Sequence, residues 1–240
     1  MPIAGRCPVT GRPLGVFVPA YYSAVRSLAS TTFGLISGWE VKGRENVPRQ
    51  DGLIVACNHI SFWDPPMVGA ACPRELSFLA KEELFATPLL GPLIRSLNSI
   101  PIRRGVADLS GMSRAIERIA GGGALLMFPE GSRMRDGELH PGRPGVGMMA
   151  VHADVPIVPS FISGSNRPGM WWRRGVRPRL WFGRARPWRD LAGEEGDLTP
   201  GRALYQRVAE AVMREIAALK SGQMASASRA AAGDRRSQSS

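Results

Sequence analysis

Two stretches of the chain contain no polar residue at all, Leu53-Ile54-Val55-Ala56-Cys57 and Ala124-Leu125-Leu126-Met127-Phe128. Five apolar positions in a row, β-branched or bulky and bounded by polar and turn residues, read as strands buried on both faces. Further strands are expected at Trp39 to Gly43, Leu76 to Ala80, Ile100 to Ile102, Val155 to Phe161 and Leu180 to Phe182. Helical spacing lies between them. Met112, Ala115, Ile116 and Ile119 mark one face of a helix that Gly121-Gly122-Gly123 closes. A helix is expected to start at Asp64, with the aspartate as N-cap ahead of Pro65 and Pro66. Residues 82–97 read as helix broken by Pro88, Gly91 and Pro92. Leu204, Val208, Val212, Ile216 and Leu219 form a core-facing stripe. Strands alternating with helices predict an α/β fold: a single domain with a largely parallel central sheet flanked by helices.

The two ends differ from this middle. Residues 1–37 read as a leader followed by helical segments, residues 38–220 as the folded domain and residues 221–240 as a disordered Ser, Ala, Gly and Arg tail. The apolar positions of 14–37, among them Val18, Tyr21, Tyr22, Val25 and Leu28, suit either a membrane-facing helix or one packed on the core. No stretch approaches the roughly 20 apolar residues of a membrane span, so the N-terminal segment is expected to lie on a bilayer and not to cross it. Pro19 and Arg26 interrupt or bound the apolar patch and no cleavage site follows, which argues against a signal peptide.

Charge adds a partner class. The net charge is +11, and residues 166–190 hold eight arginines against Asp190, interleaved with Trp171, Trp172, Trp181 and Trp188. Such a segment suits an anionic bilayer or a nucleic acid, or is simply a solvated basic face. No nucleic-acid reader motif accompanies it, so the expected partner is an anionic membrane surface and not nucleic acid. Cys7, Cys57 and Cys72 are odd in number and lack paired metal-ligand spacing, which fits a reducing compartment and no metal.

The reactive residue types fall just past the buried strands. His59 follows the first, at the carboxyl edge where open α/β sheets gather ligands. Asp64 stands five residues on, and a tight turn would bring its carboxylate to the imidazole, fixing the tautomer and leaving the other nitrogen as a base. The alternative is that His59 only caps the strand and Asp64 only the helix. Glu130-Gly131-Ser132-Arg133 follows the second strand, where glycine admits close backbone approach and a guanidinium grips phosphate. Arg103 and Arg104 follow Ile102 in the same manner.

These motifs together resemble the glycerophospholipid acyltransferase family, over roughly Trp39 to Phe161. Asn58-His59-Ile60-Ser61-Phe62-Trp63-Asp64 resembles the family's Asn-His-x4-Asp block, implying His59 as general base and Asp64 as its orienting partner. Ile100-Pro101-Ile102-Arg103-Arg104-Gly105 resembles the second block and implies Arg104 at the acceptor phosphate. Phe128-Pro129-Glu130-Gly131-Ser132-Arg133 resembles the third, adding Glu130, Gly131, Ser132 and Arg133 at the acceptor, with Ser132 where threonine is frequent. Val155-Pro156-Ile157-Val158-Pro159 is similar to the fourth. The resemblance implies acyl transfer from an acyl-CoA or acyl-carrier-protein thioester to a lysophospholipid, with no cofactor, at the cytoplasmic face of the cell membrane. Arg103 stands where an acidic residue is frequent in enzymes that make phosphatidic acid, so another lysolipid acceptor is the alternative.

Overall fold

The computed structural model describes residues 18–103, 108–171, 176–193 and 196–237. Among them seven strands form one sheet: β1 (Glu40–Lys42), β2 (Leu53–Cys57), β3 (Ser77–Lys81), β4 (Ser99–Ile102), β5 (Ala124–Met127), β6 (Ile157–Ser163) and β7 (Arg179–Phe182). Their order is β1-β7-β6-β2-β5-β3-β4. Every neighbouring pair is parallel except β6 and β7. The two all-apolar strands are central neighbours, Leu53 opposite Ala124 and Val55 opposite Leu126, which is why neither alternates.

The helices are α1 (Val18–Ser37), α2 (Asp64–Ala71), α3 (Leu90–Ser96), α4 (Leu109–Ala120), α5 (Gly145–Ala153), α6 (Trp188–Ala192) and α7 (Arg202–Ser237). They sort by sheet face. Leu53, Val55 and Cys57 point towards α1 and α2, joining Phe33, Met67 and Val68 in one core. Ile54 and Ala56 point the other way, towards Ile119 of α4, Met149 of α5 and Val208 and Val212 of α7.

Four differences from the sequence expectation have physical causes. Helix α5 is unannounced because its sequence carries two glycines, poor helix formers. Gly147 is there for contact: a Cβ on it would stand 2.2 Å from the Tyr205 carbonyl oxygen of α7. The 82–97 segment splits at Pro88 as expected, into a 3-10 turn, Glu82–Ala86, and α3, but Gly91 and Pro92 do not break it further, because they fall in the first turn of α3, where no backbone N–H is needed. Helix α7 continues through the expected tail to Ser237. Its alanines favour helix, and Gln223 anchors it by accepting from Ser163 Oγ at 2.7 Å and donating to the Phe161 carbonyl at 3.4 Å.

The fourth difference is the tryptophan–arginine segment. Trp171 and Trp188 are only 4% and 6% exposed, and their indole N–H groups donate to Gly164 O and Asp154 Oδ1. Arg179, Arg186 and Arg189 pair with Glu40, Glu215 and Asp154. Much of the segment is therefore core and intramolecular ion pair; Trp172, Arg173 and Arg174 lie outside the described residues. Helix α1 packs one face on the core and leaves the other exposed. Tyr22 and Phe33 are buried, with the Tyr22 hydroxyl accepting from Leu76 N–H, whereas Leu28 and Leu35 are exposed. Among the described residues no helix is long and apolar enough to cross a membrane.

Candidate active site

Strand β2 ends at Cys57 and the chain turns at once into α2, so residues 58–63 are held between the sheet's central strand and a buried helix. The turn is closed by Asp64. Its carboxylate, fully buried, takes three donors on Oδ2: His59 Nδ1 at 2.8 Å, Ile60 N–H at 2.7 Å and Ser61 N–H at 2.7 Å. Asp64 is thus not the N-cap but the first residue of α2, with its side chain folded back into the turn. Oδ1 accepts from Ser165 Oγ at 2.5 Å. Four donors around one carboxylate compensate its removal from water. They also dictate the imidazole's tautomer: Nδ1 carries the proton that Asp64 accepts, and Nε2 keeps the lone pair, without a hydrogen-bond partner among the described residues.

Asn58 fastens the turn to β6, donating to Ile162 O at 3.0 Å and accepting from Ile162 N–H at 2.8 Å. Phe128 stacks on the His59 ring, 3.9 Å between centroids and 17° from parallel. The loop after β5 closes the other side. Met134 N–H donates to His59 O at 2.7 Å, while Glu130 Oε2 accepts from His59 N–H at 2.8 Å and Oε1 from His140 N–H at 3.1 Å. Burial pushes the Glu130 carboxyl above its usual value, and those two backbone donors partly oppose the shift. Cys57, beneath the turn, is pushed well up by burial and by the Asp64 and Glu130 carboxylates, which leaves its thiol inert.

The residues expected at an acceptor phosphate behave differently from one another. Gly131 has φ +74, a conformation that favours glycine, and lies against the Arg143 side chain, which a Cβ would meet at 2.8 Å. Ser132 is exposed beside it. Arg133 lies over the Phe62 ring with no ion-pair partner among the described residues. Arg103 is turned to Glu82, 2.6 Å from Nε to Oε2. Arg104 lies outside the described residues. Glu130 is expected there too, yet it is 2% exposed and both oxygens are engaged by backbone, so its contacts brace the two loops. Ser165 and the Phe128 ring are the members that sequence reasoning missed. Phe128 opens a named motif without having been given a role, but nothing local in the sequence marks a serine 101 positions from its partner.

Beyond Trp63 an apolar groove opens, about 560 Å³ in volume, lined by Val25, Leu28, Phe33 and Ile36 of α1 and by Trp171. Phe33, Trp63 and Trp171 meet edge-on there, with Trp63 and Trp171 centroids 5.7 Å apart. Among the described residues no three His, Cys, Asp or Glu side chains come together as metal ligands.

A His–Asp pair with its carboxylate buried at one strand end, an arginine-bearing loop at the next and an apolar groove alongside suit acyl transfer to a hydroxyl, the reaction class to which comparison with known proteins also points. A 1-acyl-sn-glycerol-3-phosphate acyltransferase of Limnanthes douglasii is 34% identical over 145 residues, 58% of this chain and 50% of that protein. The lyso-ornithine lipid O-acyltransferase of Pseudomonas aeruginosa is 37% identical over 126 residues, 52% of this chain and 48% of that one. The chain thus spans about half the length of these curated relatives. The crystal structure of the 1-acyl-sn-glycerophosphate acyltransferase PlsC from Thermotoga maritima superposes with a TM-score of 0.63 at 27% identity, covering 83% of this chain and 79% of the other. The family model described as Acyltransferase matches residues 38–163, just over half of the chain and the whole of the stretch from β1 to β6, and the chain belongs to that family.

Proposed function

We propose that the protein transfers a fatty acyl group from an acyl thioester to the 2-hydroxyl of 1-acyl-sn-glycerol 3-phosphate, forming phosphatidic acid. The observation that carries the reading is the 2.8 Å contact between His59 Nδ1 and a fully buried Asp64, which leaves Nε2 as a base at the sheet's carboxyl edge. His59 Nε2 takes the hydroxyl proton as the oxygen attacks the thioester carbonyl. It then returns that proton to the departing thiolate as the tetrahedral intermediate collapses. Asp64 stabilises the imidazolium formed between the two steps. General-base catalysis of this kind contributes about 10²–10⁴-fold.

Arg133 and Arg104, with the open backbone at Gly131 and Ser132, hold the acceptor phosphate in this reading. The groove beside Trp63 takes an acyl chain, and the exposed leucines of α1 rest on the anionic bilayer that supplies the acceptor. The acyl donor is a coenzyme A or carrier-protein thioester.

Incubating the purified chain with vesicles, lysophosphatidate and labelled acyl-CoA, then identifying the lipid product, tests the proposal. Labelled phosphatidic acid is the expected product; its absence with both CoA and carrier-protein donors contradicts the assignment. A second acceptor has a specific observation behind it, the 37% identity to a lyso-ornithine lipid O-acyltransferase. The same assay with lyso-ornithine lipid as competitor separates the two: a kcat/KM higher for that lipid than for lysophosphatidate selects the second reading.

A further inference from the structure

Asp64 is held from both of its oxygens, and the two grips come from the ends of two neighbouring strands, β2 and β6. Oδ2 serves the turn that contains His59. Oδ1 has a single partner among the described residues, the hydroxyl of Ser165, which donates at 2.5 Å from the turn that follows β6. Ser165 is completely buried. A carboxylate gripped through one oxygen alone can still rotate about its Cβ–Cγ bond, and any such rotation carries Oδ2 out of line with the imidazole. A donor fixed on the other oxygen removes that freedom.

Ser165 can act as such an anchor because its own turn is fastened. Gly164 adopts φ +75, and its carbonyl accepts from Trp171 Nε1 at 3.0 Å. Asn58 joins Ile162 of β6 to the residue preceding His59 by a pair of hydrogen bonds. The ends of β2 and β6 are therefore sewn together on both sides of the catalytic turn.

We propose that Ser165 is a positioning residue for the His59–Asp64 pair, fixing the carboxylate through the oxygen that the histidine does not use. The inference rests on the reading of His59 as the base. It also has an electrostatic side. The hydroxyl shares the negative charge on Asp64, so removing it makes the carboxylate a stronger acceptor towards Nδ1 and favours the protonated imidazole. Among the described residues the other ionisable groups facing the pair are Glu130 on the β5 loop, Cys57 at the end of β2 and, beyond Glu130, His140; none changes in the variants used below.

The test uses the full chain with Ser165→Ala, Ser165→Cys and Ser165→Thr. The three imidazole titrations are followed by NMR, that of His59 being identified by its loss in His59→Ala. In Ser165→Ala the His59 titration is expected to move to higher pH, with those of His140 and His152 unmoved. The kcat for acyl transfer falls about tenfold at unchanged acceptor KM. Ser165→Cys, a weak donor of similar size, shifts the titration the same way by less. Ser165→Thr, which keeps the hydroxyl, returns both readouts towards the parent. An unmoved His59 titration in the Ala and Cys variants overturns the proposal, as does an equal loss of kcat in Ala and Thr. The titration needs no substrate, so a parent protein that transfers no acyl group sinks the functional reading while leaving this measurement decisive for Ser165.

Discussion

The turn at residues 58–64 and the segment 166–190 both attract notice in the sequence for their concentration of polar and aromatic side chains, yet they use them in opposite ways. In the first, polar groups are taken out of water and satisfied by one another: Asp64 has four donors, Asn58 two backbone partners and Glu130 two. Each arrangement admits one geometry, because a buried polar atom that moves loses its partner. In the second, Arg179, Arg186 and Arg189 sit at the surface in ion pairs that water can replace, and Trp171 and Trp188 serve the cores. Chemistry sits where polar groups are buried together. A run of charge, even one punctuated by tryptophan, does not by itself make a site.

The contrast is broken most severely through the carboxylate. Asp64→Asn retains an oxygen for the Ile60 and Ser61 N–H groups but removes the charge that stabilises an imidazolium. A fall in kcat of about 10²–10⁴-fold, with the circular dichroism of the parent, is expected from steady-state kinetics. Trp188→Ala inverts the pattern: an emptied core site costs about 3–5 kcal/mol in chemical denaturation, and kcat per folded molecule stays unchanged. A comparable loss of kcat would show that Trp188, and not only Trp171, reaches the site. Arg186→Ala, which removes the partner of Glu215 at the surface, changes unfolding free energy by about 0–1 kcal/mol.

The smallest effect is a pH dependence at Glu130. Burial raises its folded-state pKa above the usual 4.5, so the folded protein holds that proton more tightly than the unfolded chain. The group's stabilising contribution is complete below about 4.5 and is lost as pH rises through the folded-state pKa. Glu130→Gln removes this titration. Thermal midpoints of parent and variant measured from pH 4 upward are expected to move relative to each other in favour of the variant as pH rises; parallel curves would contradict the assignment.

The central sheet was legible because β2 and β5 are buried on both faces and write that burial as unbroken apolar runs. The His59–Asp64 contact was legible for a related reason, since a strand, a short turn and a proline-marked helix leave few ways to place five residues. Local sequence says nothing of long-range closure. Ser165 meets Asp64 only because β6 lies beside β2, and residue 147 has no room for a side chain because α7 crosses it closely. The ion pairs of Arg179, Arg186 and Arg189 were illegible for the same reason: their acidic partners Glu40, Asp154 and Glu215 come from β1, the turn after α5 and α7.

The account stands on His59 acting as the base in acyl transfer. Its most direct test is the rate of labelled phosphatidic acid formation by the parent and by His59→Ala, at saturating lysophosphatidate and acyl thioester, on samples matched for fold. A readily measured parent rate and a variant reduced by at least about 10³-fold are expected; a variant that turns over within a few-fold of the parent would show that His59 is not the base.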